Sequence, residues 1–230
     1  MKENSTVPDA LTRLKGLRDA GQESVLVSYS GGKDSLCVLD MATRIFKKVV
    51  CFFMYFIPGL ECCETQLEYA RKRYGVSIIQ YPHWSLAAAL REALYSDPSY
   101  KLDRLPKLSL YDIFSWVMQD TGIKKILAGN KNSDSVSRRY ILKSWAQGDY
   151  ADVLVNPIIN WNKYDVLSYL RVHDIPVPPA SSGNTTGIGL SEVSLLWLHD
   201  TFPKDFAKLL RLFPYAEAVV KRREFYGNKS

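Results

Sequence analysis

The residues best suited to chemistry in this chain of 230 are Ser30-Gly31-Gly32-Lys33-Asp34-Ser35. Paired glycines let a chain turn tightly and bring backbone N–H groups close to an anion. A helix starting directly after them adds unpaired donors and a partial positive charge. Lys33 supplies a full charge, the hydroxyls of Ser30 and Ser35 can bond phosphate oxygens, and Asp34 can brace the loop or hold Mg²⁺. Together they describe a cradle for a polyanion. Neither Gly-x-x-x-x-Gly-Lys nor Gly-x-Gly-x-x-Gly is present, which sets two other phosphate loops aside. The plain alternative is a turn in which Asp34 or Ser35 caps a helix.

A second group, Lys131, Arg138 and Arg139, can reach a phosphate or sulfate from a loop after the fourth expected strand. Arginine offers a bidentate fork and lysine a point charge. The alternative is a solvated basic loop. Nucleophilic thiols are scarce. Cys37 falls in a helix stripe, Cys51 lies inside a strand, and no cysteine follows Cys63. Cys62 and Cys63 lie near a strand's C-terminal edge, where positive charge would activate a thiol. A loop cysteine filling a small apolar space is the commoner case and the preferred reading. His83, His173 and His199 show no metal-ligand spacing.

Positioning these groups requires strands that end where the loops begin. Ser24–Ser30 is a short β-rich run entering Gly31-Gly32, and residues 35–46 place Leu36, Leu39 and Ala42 on one helical face. Val49–Phe56 is continuously apolar, as expected of a strand covered on both faces. Further strands are expected at 76–81, 125–128 and 152–155. Helices are expected at 8–20, 65–74, 84–95 and 110–120, and then only helices at 163–173, 190–200, 204–213 and 215–225. The alternation predicts an α/β fold: a Rossmann-like parallel sheet with helices on both faces, followed by a C-terminal helical extension. Residues 1–160 are expected to form the nucleotide-binding α/β domain, and 161–230 the extension packed on it.

The strand–Ser-Gly-Gly-Lys-Asp-Ser–helix unit resembles the PP-loop of the adenine nucleotide α-hydrolase superfamily, of HUP type. That superfamily includes ATP pyrophosphatases and phosphoadenosine phosphosulfate (PAPS) reductases. Three further stretches resemble the PAPS reductases: Gly59-Leu60-Glu61-Cys62-Cys63-Glu64-Thr65; Gly129 to Arg138, with Lys131 in place of the family's first arginine; and Asn156-Pro157-Ile158-Ile159-Asn160-Trp161. The likeness runs from about Ser24 to Gly189. It implies that Ser28, Tyr29, Ser30, Gly31, Gly32, Lys33, Asp34, Ser35, Gly59, Glu61, Gly129, Ser135, Arg138 and Arg139 bind an adenine nucleotide. Catalytic roles then fall to Lys33, Asp34, Lys131 and Arg138, with Asp34 as the Mg²⁺ ligand. The family's C-terminal Glu-Cys-Gly-Leu-His thiol has no counterpart here. The stretch from Gly183 to Gly189 continues into Leu190-Ser191-Glu192, which carries no cysteine. The related adenylylsulfate reductases bind an iron–sulfur cluster through cysteine pairs, and with only Cys62-Cys63 no cluster is expected. The resemblance therefore points first to an ATP pyrophosphatase that adenylates an acceptor and releases pyrophosphate. Two rivals stand beside it: a PAPS or adenylylsulfate reductase or sulfotransferase using another thiol, and a non-catalytic nucleotide- or nucleic-acid-binding module.

Composition agrees with such a protein. Thirty Lys and Arg against 24 Asp and Glu give +6, which favours anionic partners and permits nucleic acid. The aromatics (14 Tyr, 9 Phe, 5 Trp) mostly fall in helix stripes or strands, where packing explains them. Lys221-Arg222-Arg223 suits a solvated helix terminus. The longest apolar run, 49–57, is far short of the roughly 20 residues a bilayer requires. The polar first residues lack a secretory h-region, so a cytoplasmic protein with no membrane partner is expected. The acceptor is left open, and so is a homodimer.

Overall fold

A computed structural model describes residues 6–100, 102–148, 150–179 and 188–227. Five strands, β1 (Ser24–Ser28), β2 (Lys48–Tyr55), β3 (Ser77–Pro82), β4 (Ile126–Ala128) and β5 (Leu154–Val155), form a parallel sheet in the order β3-β2-β1-β4-β5. Val27 of β1 lies opposite Cys51 on one side and Leu127 on the other, and Leu127 lies opposite Val155. Val25, Leu26 and Val27 are all fully buried, and so are Ile126 and Leu127. Burial without alternation is the mark of strands covered on both faces. The chain leaves β1 toward β2 and β3, then returns on the other side of β1 to make β4 and β5. The C-terminal ends of β1 and β4 thus flank the point where strand order reverses, the usual crevice for ligands on such sheets.

Ten helices flank or follow the sheet among the described residues: α1 (Thr6–Asp19), α2 (Lys33–Ile45), α3 (Glu61–Tyr74), α4 (Trp84–Arg91), α5 (Leu110–Thr121), α6 (Val136–Trp145), α7 (Lys163–Val172), α8 (Glu192–Thr201), α9 (Pro203–Leu210) and α10 (Glu217–Gly227). None is long and apolar enough to cross a membrane. All five expected strands are present, with β5 shortened to two residues. Two helices depart from expectation. Residues 136–145 form α6, so Arg138 and Arg139 lie on a helix and not on a loop. α3 begins at Glu61 rather than Thr65, which moves Cys62 and Cys63 from a loop into its first turn.

By spatial contacts the chain divides into two units interleaved in sequence. The first comprises residues 1–53, 67–80 and 114–178, and so includes α7. In it α2 packs on β1 and β4 and against α1 and α7. Buried Asp40 of α2 accepts a 2.7 Å hydrogen bond from the Tyr169 hydroxyl of α7 and a 2.8 Å bond from Arg44 Nε, so no charge is left unpaired in that seam. Phe52 of β2 meets Phe114 of α5 edge to face.

The second unit comprises residues 54–66, 81–113 and 179–230. Its core joins Leu60 and Leu86 to Leu195, Leu198, Leu209 and Phe213 of the helical tail. Asp205 of α9, 1% exposed, accepts from the backbone N–H groups of Glu61 and Cys62 at 2.8 and 2.9 Å. It thereby caps α3 from 144 residues away in sequence, where a carboxylate also suits the helix dipole. Lys208 donates to the Gly59 carbonyl at 2.6 Å.

Candidate functional site

The loop leaving β1 is shaped by its own side chains. Gly31 has φ +73°, a left-handed conformation that favours glycine. Ser35 Oγ donates to the Gly32 carbonyl at 3.0 Å and accepts from the Ser30 N–H at 3.2 Å, while Ser30 Oγ lies 3.1 Å from it. Ser35 is 3% exposed. The two serines, expected to bond phosphate directly, form a brace inside the loop, although Ser30 still faces solvent. Gly32 is the N-cap of α2 and has no side chain to offer its first-turn amides. That end of the helix is left electropositive, the arrangement that suits an anion.

The second loop, after β4, closes against the first. A Cβ on Gly129 would stand 2.8 Å from the carbonyl carbon of Asp34 and 2.9 Å from the nitrogen of Ser35. Only glycine permits this approach between two backbones. The second loop is in turn held by the chain following β5. Asn132 N–H donates to the Ile159 carbonyl, Ser133 Oγ donates to the Trp161 carbonyl at 2.7 Å, and the side chains of Asn130 and Asn156 pair at 2.9 Å. The Asn156 to Trp161 segment is thus a support for the 129–135 loop, with Trp161 itself fully buried beneath it.

Charge runs between the loops as a chain. Lys33 Nζ lies 3.0 Å from Asp34 Oδ2, Lys131 Nζ lies 2.7 Å from Asp34 Oδ1, and Lys131 Nζ lies 2.8 Å from Asp134 Oδ1. The approach of Lys131 to Asp34 Oδ1 is a close charge contact and not a directed hydrogen bond, and that buried oxygen has no other partner among the described residues. Lys131 is only 3% exposed. Burial opposes its ammonium, yet the adjacent carboxylates of Asp134 and Asp34 outweigh burial and raise its pKa above the ordinary lysine value. Lys131 is therefore not the solvated cation considered from sequence. It fastens the second loop to the first. Asp134, given no role by sequence reasoning, completes the fastening and also accepts from the Lys131 N–H at 3.2 Å. The i,i+3 spacing of Lys131 and Asp134 was the available signal.

The remaining expected residues fall in several places. Ser28 ends β1, while the Tyr29 side chain is 1% exposed in the core, its hydroxyl pKa pushed upward by burial. Ser135 N-caps α6 by accepting from the Arg138 N–H at 2.9 Å. Arg138 is half-buried and Arg139 exposed. Gly59 and Glu61 belong to the second unit, where the Gly59 carbonyl is taken by Lys208 and the Glu61 N–H by Asp205. Most of the 183–189 stretch lies outside the described residues.

Cys62 is buried with its sulfur 4.0 Å from that of Cys63; the contact with Cys63, burial and the Asp205 charge all push its pKa up. Burial raises the Cys37 thiol and pushes Cys51 up to about 12. His83 caps α4 and is pushed down to about 4 by burial. No cluster of three or more His, Cys, Asp or Glu able to hold a metal occurs among the described residues. Asp34 and Asp134 are the carboxylates between the loops, and both are ion-paired with Lys131. A Mg²⁺ ion bound mainly through substrate phosphates and water needs only one or two protein carboxylates, so Asp34 fits that modest role.

A sequence model of the phosphoadenosine phosphosulfate reductase domain matches residues 24–189. The chain is 23% identical over 189 residues to adenosine 5′-phosphosulfate reductase 2 of Bacillus subtilis (strain 168), covering 81% of this chain and 79% of that protein. It is 29% identical over 175 residues to the tRNA(Ile)-lysidine synthase of Bdellovibrio bacteriovorus, covering 70% of this chain and 51% of that one. Among solved structures it resembles the NH3-dependent NAD synthetase of Campylobacter jejuni in complex with nitrate. There the TM-score is 0.54 at 13% identity, over 99% of this chain and 96% of that one, a likeness of fold.

Proposed function

Because the chain belongs to the phosphoadenosine phosphosulfate reductase domain family, we propose that it is a PP-loop enzyme that binds ATP and transfers its adenylyl group to an acceptor. The acceptor's lone pair attacks the α-phosphorus, the bond to the bridging oxygen breaks, and pyrophosphate leaves with that electron pair. The observation that carries the reading is the two-loop cradle. The uncapped start of α2 and the Lys33 ammonium belong to the first loop, and the second loop packs against it at Gly129. Donors fixed in place before reaction stabilise charge growing on the leaving pyrophosphate without reorganising. Ser30 and Ser35 keep the loop's shape, and the Lys131–Asp34 contact keeps the second loop against it. Arg138, in the first turn of α6, is the remaining candidate for a bidentate grip on phosphate. When bound through Asp34, Mg²⁺ would supply charge neutralisation to the phosphates.

Thiol chemistry has less support within the chain, since the contact with Cys63, burial and the Asp205 charge all push the Cys62 pKa up. The family match favours a second reading, sulfonucleotide reduction with a thiol from another protein. ATP chemistry and four unpaired cysteines both suit the cytoplasm.

Calorimetric titration with ATP, adenylylsulfate and PAPS, each with Mg²⁺, tests the proposal. ATP is expected to bind, and Lys33→Ala to weaken it by about 10- to 100-fold, the effect of a charged hydrogen bond. Pyrophosphate release on adding acceptor candidates follows. Binding of PAPS or adenylylsulfate with thiol-dependent sulfite release, and no binding of ATP, would move the assignment to the second reading.

A further inference from the structure

The charge of +6 is unevenly compensated. On α10 every cation of Lys221-Arg222-Arg223 has a carboxylate: Lys221 has Glu217 and Glu224, Arg222 has Glu192 at 2.5 Å, and Arg223 has Asp200 at 2.5 Å. On α6 the opposite holds. From Ser135 to Gly148 there are three cations, Arg138, Arg139 and Lys143, and no acidic residue. None of the three makes an ion pair among the described residues. The same helix exposes apolar groups that packing does not use. Val136 is 67% exposed, Tyr140 70% and Ile141 41%, and only Leu142 is buried. Trp145, against the Tyr150 ring at 5.0 Å, anchors its far end. Val136 and Tyr140 are one turn apart on one face, and Arg139 and Lys143 are one turn apart on the adjacent one.

We propose that α6 docks a single-stranded RNA segment carrying the acceptor atom; this rests on the adenylyl-transfer reading. An exposed aromatic ring among uncompensated cations matches the two faces of an unpaired nucleotide, base for stacking and phosphate for charge. The preceding loop, through Gly129 and Lys131, touches the phosphate loop itself, so α6 begins one short loop away from the cradle. An acidic protein is the weaker fit. Ten residues of helix extend about 15 Å, too little surface for a stable protein interface, whereas a few phosphate contacts and one stack suffice for RNA. Unpaired, unstacked bases are offered mainly by RNA loops, which selects RNA over DNA.

The test is fluorescence anisotropy of the full chain with a labelled single-stranded RNA of about 12 nucleotides. Two phosphate contacts, from Arg139 and Lys143, predict a log–log salt slope near −1.4, an affinity loss of about sevenfold between 50 and 200 mM salt. Tyr140→Ala, at a fully solvated position, should weaken RNA binding about tenfold or more. Lys143→Gln should reduce the slope by about 0.7. Neither should alter the calorimetric ATP titration. RNA binding unaffected by both substitutions, or no RNA binding by a chain that binds ATP, overturns the docking surface and leaves the ATP reading intact. Loss of ATP binding with α6-dependent RNA binding retained supports the surface and sinks the adenylyl-transfer reading instead. Equal affinity for DNA of the same sequence, or tighter binding of poly-glutamate, overturns the assignment to RNA.

Discussion

Replacing Lys131 by Met removes the ammonium that joins the two loops while keeping much of its volume. Two carboxylates are then left without their shared cation: Asp34, whose Oδ1 is buried, and Asp134, whose side chain is 41% exposed. Breaking a buried ion pair by deleting one partner costs about 3–5 kcal/mol. Asp134 is too exposed for the full amount, and Asp34 keeps Lys33 at 3.0 Å, so solvent and the remaining lysine reduce the figure to about 2 kcal/mol. For a chain of this size that corresponds to a fall in Tm of about 4–8 °C at pH 7. The deficit has a pH signature. In the parent, the Lys131 pKa is raised by its partners, so its contribution is whole below the ordinary lysine value and is lost as pH rises through the raised one. The gap should therefore narrow at strongly alkaline pH. Differential scanning fluorimetry of both proteins from pH 4 to 11 measures this. A Tm within about 1 °C of the parent at pH 7, or a gap constant across that range, would refute the view that Lys131 is a fastening between two carboxylates.

Gly129→Ala forces a methyl group against the Asp34–Ser35 backbone, so calorimetry should show ATP binding weakened about tenfold or more, with about 1–3 kcal/mol of lost stability from overpacking. Asp205→Asn should cost about 1–2 kcal/mol in chemical denaturation, since the amide keeps only one acceptor for the Glu61 and Cys62 N–H groups. Those N–H bonds more than offset burial and hold the Asp205 carboxyl below its usual range. Its contribution is thus present above about pH 4 and lost as pH falls through the lowered value, so the variant should show a flatter acid limb in Tm against pH. His83, pushed down to about 4 by burial, should remain neutral at pH 5 in an NMR titration of its ring proton. It stabilises the fold above the ordinary histidine value near 6.5, and that stability drains away as pH falls through about 4.

Local patterns carried the strand–loop–helix unit from Ser24 to Ala42 because its signals are short in range: a β-rich run, two glycines, then an apolar stripe of period 3.6. The roles of Ser30 and Ser35 were not legible in the same way. Either hydroxyl can serve a ligand or its own backbone, and loop curvature decides between them. α6 escaped notice because Ser135 to Trp145 buries only Leu142, so it has no stripe to read. Its helical state rests on the Ser135 cap, and its anchoring on Trp145. Asp205 was unreadable as the cap of α3, since sequence pattern cannot pair positions 144 residues apart.

What the sequence settled by itself was the five strands, most of the helices and the glycine turn between β1 and α2, because hydrophobic period, glycine punctuation and helix capping act within a few residues. What only the tertiary structure decided was the use of each charge. Lys131, Arg138 and Arg139 look alike in one dimension. In three, Lys131 is drawn between Asp34 and Asp134, while Arg138 and Arg139 stand on a helix and meet no carboxylate among the described residues. A cation's role depends on its partners' distance and on how much water remains around it, and folding sets both.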